Sequence, residues 1–152
     1  MGWLEHKVPP PVVMLIVIVA MLLADWWGAF GLAHGFGLYL GAGLCVLALA
    51  LAIGGLRTLV GQRTTPSPTQ IERAKKLVTS GPYRFTRNPM YLGMTIFLIG
   101  VASILGSPWF LLGALAFCLY IQRFQIMPEE RVMREKFGAE YDSYSQRVRR
   151  WI

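Results

Sequence analysis

The chain is poor in the residues that soluble enzymes use for chemistry. It has two histidines (His6, His34), two cysteines (Cys45, Cys118), one asparagine (Asn88) and eight acidic residues among 152, and only 15% of positions are charged. Two isolated cysteines in apolar runs give no disulfide framework, and no Cys, His, Asp and Glu cluster has metal-ligand spacing, so a zinc centre is excluded. Without a histidine near a nucleophile, hydrolysis by a catalytic triad is excluded as well. Lysine and arginine are missing from two stretches, 25–34 and 106–108, although 15 are present in total.

What is abundant is apolar: 55% of residues are hydrophobic and the mean hydropathy is +0.47. This exceeds what one small soluble core can bury, and the chain reads as an integral membrane protein. Four apolar spans are drawn at about 12–30, 35–56, 89–105 and 109–126, each close to the length that crosses a hydrocarbon core, with the third the shortest. They define an all-α helical bundle and one domain over 1–152, with a loop at 57–88 and a tail at 127–152.

The net charge of +7 follows topology and does not mark a nucleic-acid partner. Lys7 precedes the first span, seven cations lie between Arg57 and Arg87, and seven lie from Arg123 onward. An even number of spans with every cation on one side satisfies the positive-inside rule, with both termini and the long loop cytoplasmic in a multi-pass cell-membrane protein. Burying the loop is not an option, since each Lys or Arg at the centre of a span costs about 2.5–3.5 kcal/mol. The first span is no signal peptide: no A-x-A site follows it, and Trp26-Trp27 reads as an interfacial belt.

Pro9-Pro10-Pro11 stiffens the approach to the first helix. Gly37 and Gly41 have the spacing that lets membrane helices pack closely, within or between chains. Residues 64–69 read as an extended loop and Ile71–Leu77 as a short basic surface helix, where Lys75 and Lys76 can meet lipid headgroups. Gly106-Ser107-Pro108 makes a tight turn, so the last two spans form a hairpin. Their charged ends, Tyr83 to Tyr91 and Arg123 to Arg131, therefore meet at one membrane face. Pro128 reads as the first-turn residue of a new amphipathic helix that stops at Gly138, followed by a short helix carrying Tyr141, Tyr144 and Val148. Arg147, Arg149 and Arg150 read as headgroup anchors, and Trp151-Ile152 as an ordered, interface-docked end.

That hairpin gathers cations, two phenols, an amide and the Glu129-Glu130 pair beside a lipid-accessible cleft. The inventory suits a cofactor with an amino-acid end, an aromatic base and a sulfonium. A carboxylate such as Glu129 holds the ammonium, amide or basic groups hold the carboxylate, and tyrosine rings face the sulfonium. Methyl transfer from such a donor needs alignment and exclusion of water more than acid–base help.

The segments Leu77-Val78-Thr79-Ser80-Gly81-Pro82-Tyr83, Arg87-Asn88-Pro89-Met90-Tyr91-Leu92-Gly93, Pro128-Glu129-Glu130-Arg131 and Phe137-Gly138-x-Glu140-Tyr141-x-x-Tyr144 resemble the isoprenylcysteine carboxyl methyltransferase and phospholipid methyltransferase superfamily in order and spacing, over about the C-terminal half. The resemblance implies S-adenosyl-L-methionine bound from the cytosol by Lys76, Leu77, Val78, Tyr83, Asn88, Pro89, Met90, Tyr91 and Glu129. It also implies a lipophilic or lipid-modified acceptor arriving from the bilayer, and membrane lipids as the surroundings. Arg87, Arg123 and Gln125 are the catalytic candidates it marks. Gln125 stands where the eukaryotic isoprenylcysteine enzymes carry an arginine one turn before the glutamate, with Arg123 as the substitute cation, and Asn88 stands where they carry histidine. Two further readings stay open. A nicotinamide-dependent membrane reductase would need a phosphate-binding cluster, and a four-helix cation exporter would need Asp25 as its coupling carboxylate.

Overall fold

The computed structural model describes residues 8–29, 35–62 and 76–152, and it is all-helical there, with no strand among the described residues. Helix α1 spans Pro10–Ala24, α2 Phe36–Gly61, α3 Pro89–Ile104, α4 Leu111–Ile121 and α5 Met127–Arg147. Proline opens α1 and α3 at the first turn, where a missing N–H leaves no intrahelical bond unmade. Among the described residues, three helical runs, beginning at Pro10, Phe36 and Pro108, are long and apolar enough to cross a membrane, and α3 is a shorter apolar helix of 16 residues. Their outward faces stay apolar: Leu15, Ile16, Leu22, Val46, Leu49, Leu112, Leu115 and Leu119 are all exposed, as lipid-facing positions are. Trp26 and Trp27, 85% and 86% exposed, sit in a π-helical turn (Asp25–Ala29) that ends the first span as an interfacial pair would.

Glycine sets the spacing of α2 and α3. A Cβ on Gly41 would stand 2.6 Å from the Gly100 carbonyl oxygen, and one on Gly93 would stand 2.8 Å from the Ala48 oxygen. The close approach expected of Gly41 is therefore real, and it is made to Gly100 and Ile104 of α3, while Gly93 lets α3 approach Ala48 and Ala52. Helix α1 packs against α4 and α3, and Gly113 leaves room for Met21 and Val17. The central core is Leu98, Ala102, Leu105, Phe110, Ala114, Phe117, Ile121 and Ile126, all buried.

Three sequence expectations need correction. Helix α2 continues to Gly61, beyond the boundary near 56, and so lifts Arg57 out on its last turns. No new helix starts at Pro128. The last span runs on through a π-helical stretch, Gln122–Ile126, into α5, and Met127 is itself helical (φ −61°, ψ −43°). The π turn, in which Met127 N–H donates to the Gln122 carbonyl, widens the helix just before the proline and eases its clash with the preceding turn, although Pro128 still has no N–H to donate. The surface helix expected at 71–77 does not reach Lys76–Thr79, which are not helical; its residues 71–75, like the loop at 64–69, lie outside the described residues. The stop at Gly138 does hold: its φ of 48° and ψ of −124° break α5 into two arms. Only glycine adopts such a backbone without strain.

Candidate active site at the basic end of the helical hairpin

The site begins with a turn. Gly81 has φ 58° and leads into a 3-10 turn, Gly81–Arg84, whose second residue, Pro82, fixes its own φ. A Cβ on Gly81 would meet Thr58 Oγ1 at 2.7 Å, so the turn is pressed against the end of α2. This buries Tyr83, whose backbone carbonyl accepts a 2.8 Å hydrogen bond from the Tyr144 hydroxyl. Leu77 and Val78 are buried as well, and Leu77 packs with Tyr141 and Tyr144 in a cluster supported by Met133, Phe137 and Val148. Lys76 is exposed. Of the three residues expected before the turn, two therefore form its packed floor and one stands at its edge.

Helix α3 starts two residues after Arg87. Asn88 occupies the N-cap position yet makes no capping bond. Its side-chain amide donates to the Arg150 carbonyl at 3.0 Å. Pro89 is buried, and Pro89 and Met90 lean on Gly55 of α2. One turn in, the buried Tyr91 donates its hydroxyl to Glu129 Oε1 at 2.5 Å, joining α3 to α5 across 38 residues of sequence. This is the convergence that the hairpin expectation required.

Glu129 and its neighbour behave differently. Glu130 is held by two arginines: Arg87 at 3.2 Å, and Arg150 through two parallel bonds at 3.0 and 2.6 Å, the fork geometry that suits guanidinium and carboxylate. Among the described residues Glu129 forms no ion pair, and burial pushes its carboxyl up to about 8; the Tyr91 bond pulls it down and the Glu130 charge pushes it up again. A withdrawn carboxylate with a phenol on one side and no ion-pair partner among the described residues can face a positively charged group. Burial also raises the Tyr83 phenol, with Tyr144 and Glu129 adding to it. Tyr141 is raised by burial and by Glu130, against the pull of Arg87 and Arg134.

The catalytic candidates separate. Arg87 belongs to the ion pair with Glu130 and donates to the Tyr141 hydroxyl at 3.4 Å, while its buried Nε has no hydrogen-bond partner. Gln125 is drawn away to α1: 1% exposed, it donates to the Val8 carbonyl at 2.9 Å and leaves its Oε1 unpaired. Arg123 is exposed and lies over the Phe124 ring, 5.5 Å from its centre.

The tail contributes what sequence reading missed. Arg150 is a partner of Glu130 and not a headgroup anchor, and Glu130 does more than charge a helix start. Arg87 N–H donates to the Arg149 carbonyl at 3.0 Å, Thr86 Oγ1 donates to the Arg150 carbonyl at 3.2 Å, and Trp151 Nε1 donates to Gln122 at 2.9 Å. Thr86, 3% exposed, carried no motif signal. A Thr one residue before the Arg-Asn-Pro segment is visible as a polar side chain, but only the fold shows what it meets.

Fold and site together define a small integral-membrane helical protein with its polar, titratable centre at one end of the bundle. The sequence pattern of the phospholipid methyltransferase family matches residues 36–140. The chain belongs to that family. An uncharacterized protein of Haemophilus influenzae is 43% identical over 63 residues, 41% of this chain and all of that protein. A probable protein-S-isoprenylcysteine O-methyltransferase of Oryza sativa subsp. indica is 34% identical over 111 residues, 70% of this chain and 56% of that one. The protein-S-isoprenylcysteine O-methyltransferase of Saccharomyces cerevisiae is 33% identical over 124 residues, 74% of this chain and 51% of that one. The chain thus spans about half the length of the isoprenylcysteine relatives it matches.

Proposed function

We propose that the protein is a methyltransferase that uses S-adenosylmethionine, bound from the cytosolic side, to methylate a lipophilic acceptor in the bilayer. The observation that carries this reading is the Tyr91–Glu129 pair at the junction of α3 and α5: a carboxyl raised to about 8 by burial, hydrogen-bonded to a phenol and in no ion pair among the described residues. Family membership and the names of the isoprenylcysteine relatives support it independently.

The residues fit the cofactor. Glu129 would receive its ammonium group, and ionisation of the carboxyl is then favoured by the charge it faces. Tyr91 orients that carboxylate through its hydroxyl, and Tyr83 supplies a phenol at the same end. When bound, the cofactor supplies an electrophilic methyl on a sulfonium, which leaves as a neutral thioether once the acceptor has taken the methyl. Leu77 and Val78 keep water from the floor of the site, which protects an acceptor oxygen or nitrogen from competition with solvent. Arg87, with one N–H of its guanidinium unpaired, would steer an anionic acceptor. The apolar outward faces of the helices let that acceptor arrive along the leaflet, and the membrane orientation that suits cytosolic donor supply is the one with both termini inside.

Two measurements test this. Calorimetry with S-adenosylhomocysteine on the purified protein should show binding that falls at least tenfold in Glu129→Ala; equal binding in that variant rejects the pocket. Incubating membranes that contain the protein with methyl-labelled S-adenosylmethionine, then identifying the labelled lipid or lipid-modified peptide by mass spectrometry, should give a labelled hydrophobic product. Label found only in water-soluble products rejects the lipophilic acceptor.

A further inference from the structure

The last residues of the described chain return to the site and fasten to both sides of it. The backbone of Arg149 and Arg150 takes three hydrogen bonds from one short stretch: Arg87 N–H to the Arg149 carbonyl at 3.0 Å, Thr86 Oγ1 to the Arg150 carbonyl at 3.2 Å and Asn88 Nδ2 to the same oxygen at 3.0 Å. The Arg150 side chain reaches the other way, to α5, and grips Glu130 with two bonds. Trp151 then pins the end to Gln122 and packs on the central core. One residue therefore links the segment that opens α3, which carries Tyr91, to the residue adjoining Glu129.

We infer that Arg150 is a positioning residue for the cofactor site: its carbonyl fixes the Thr86–Asn88 segment, and its guanidinium, with that of Arg87, offsets the Glu130 charge beside Glu129. Asn88 is on this reading a strap-binding residue and not a cofactor contact. The inference rests on the proposed role of Glu129 in holding a cationic group.

Two physical consequences separate this from a purely structural tie. Among the described residues, the groups facing Glu129 are Tyr91 from α3, Tyr83 from the 3-10 turn and Glu130 from its own helix; those facing Glu130 are Arg87 and Arg150, with Tyr141 and Arg134 close enough to interact electrostatically. Removing the Arg150 cation leaves more of the Glu130 charge uncompensated, so Glu129 ionises at a higher pH. Removing the Glu130 charge does the reverse. A tie that only held the fold together would weaken binding in both variants without moving the titration in opposite directions.

The test is the pH dependence of S-adenosylhomocysteine affinity, measured by calorimetry on the full chain in detergent micelles, with thermal unfolding recorded at each pH. In the wild type, affinity should rise through a midpoint that is absent from Glu129→Gln; titration of the ligand's own amine is common to all variants and cancels in the comparison. Arg150→Ala should move that midpoint up and Glu130→Gln should move it down, each by about half a pH unit or more. Arg150→Lys keeps the cation but not the fork, so it should hold the wild-type midpoint while affinity falls severalfold. Should Arg150→Ala not fold, Glu130→Gln and Arg150→Lys still decide the matter. Midpoints unmoved in Glu130→Gln, or moved the same way in both charge variants, overturn the positioning role. A wild-type profile identical to that of Glu129→Gln instead overturns the cofactor reading beneath it.

Discussion

Tyr91 and Glu129 carry the sharpest residue-scale consequences. The Glu129 carboxyl, ordinarily titrating at 4.5, is held at about 8 by burial, so the folded protein binds its proton more tightly than the unfolded chain does. The stability that this proton confers is complete below the ordinary value and is lost as pH rises through about 8. Glu129→Gln, which cannot ionise, should therefore unfold at a higher temperature than the wild type at pH 8, by an amount equivalent to about 1–3 kcal/mol, and should match it near pH 4.5. Calorimetric melts at the two pH values check this. A variant that is more stable yet no longer binds S-adenosylhomocysteine is the signature of a site that holds an awkward charge for use. Tyr91→Phe removes a hydrogen bond to a charged acceptor, and affinity near neutral pH should fall about tenfold or more in the same titration.

At the scale of elements, glycine positions decide how α2 meets α3 and where α5 turns. Gly93→Ala would place a methyl 2.8 Å from the Ala48 oxygen and should cost about 1–3 kcal/mol through overpacking, whereas Gly43→Ala meets nothing within 4 Å and should be neutral or gain up to about 1 kcal/mol from helix propensity. Chemical-denaturant or thermal unfolding in one detergent compares the two. Gly138→Ala meets open space too, but at φ 48° it should lose about 1 kcal/mol through backbone strain. Much of this architecture is legible in the sequence. The apolar runs, the proline starts of α1 and α3, the turn at Gly106 and the stop at Gly138 are all local signals, and each reports its own neighbourhood. Sequence reading fails at the last span because Pro128 signals a helix start only where the preceding turn is ordinary; the π turn at Gln122–Ile126 is a tertiary accommodation with no residue code. It fails also at the tail, where Arg150 is one of three arginines within four residues, and only folding selects which one meets Glu130.

For the whole molecule, the arrangement of charge and the separation of the two tryptophans from the Tyr91–Glu129 end make orientation testable. With a single reporter cysteine in a Cys45→Ser, Cys118→Ser background, a label at Lys136 and one at Trp27 should react from opposite sides of sealed vesicles. Reaction of both from one side would overturn this topology, and reaction of Lys136 from the outer side would reverse the proposed cytosolic supply of donor. The candidate site is legible as a cluster of motifs because its parts come from four separated segments that each keep a recognisable local pattern, and the fold brings Tyr91 and Glu129 of two of them together. Gln125 shows the limit of such reading. Its position in the chain placed it among the catalytic candidates, yet the structure binds it to Val8 at the start of α1, a partner 117 residues away.

The brevity of α3 has a consequence for the surrounding lipid. Its 16 residues rise about 24 Å, against a hydrocarbon thickness of about 30 Å, while the 26 residues of α2 are more than long enough. Where tilting of α2 does not absorb the difference, local thinning of the bilayer at the Tyr91 end of α3 does, drawing headgroups inward there. Such a depression brings aqueous and oily reactants to one depth without either having to cross into the other's medium, and it favours residence in thinner membranes.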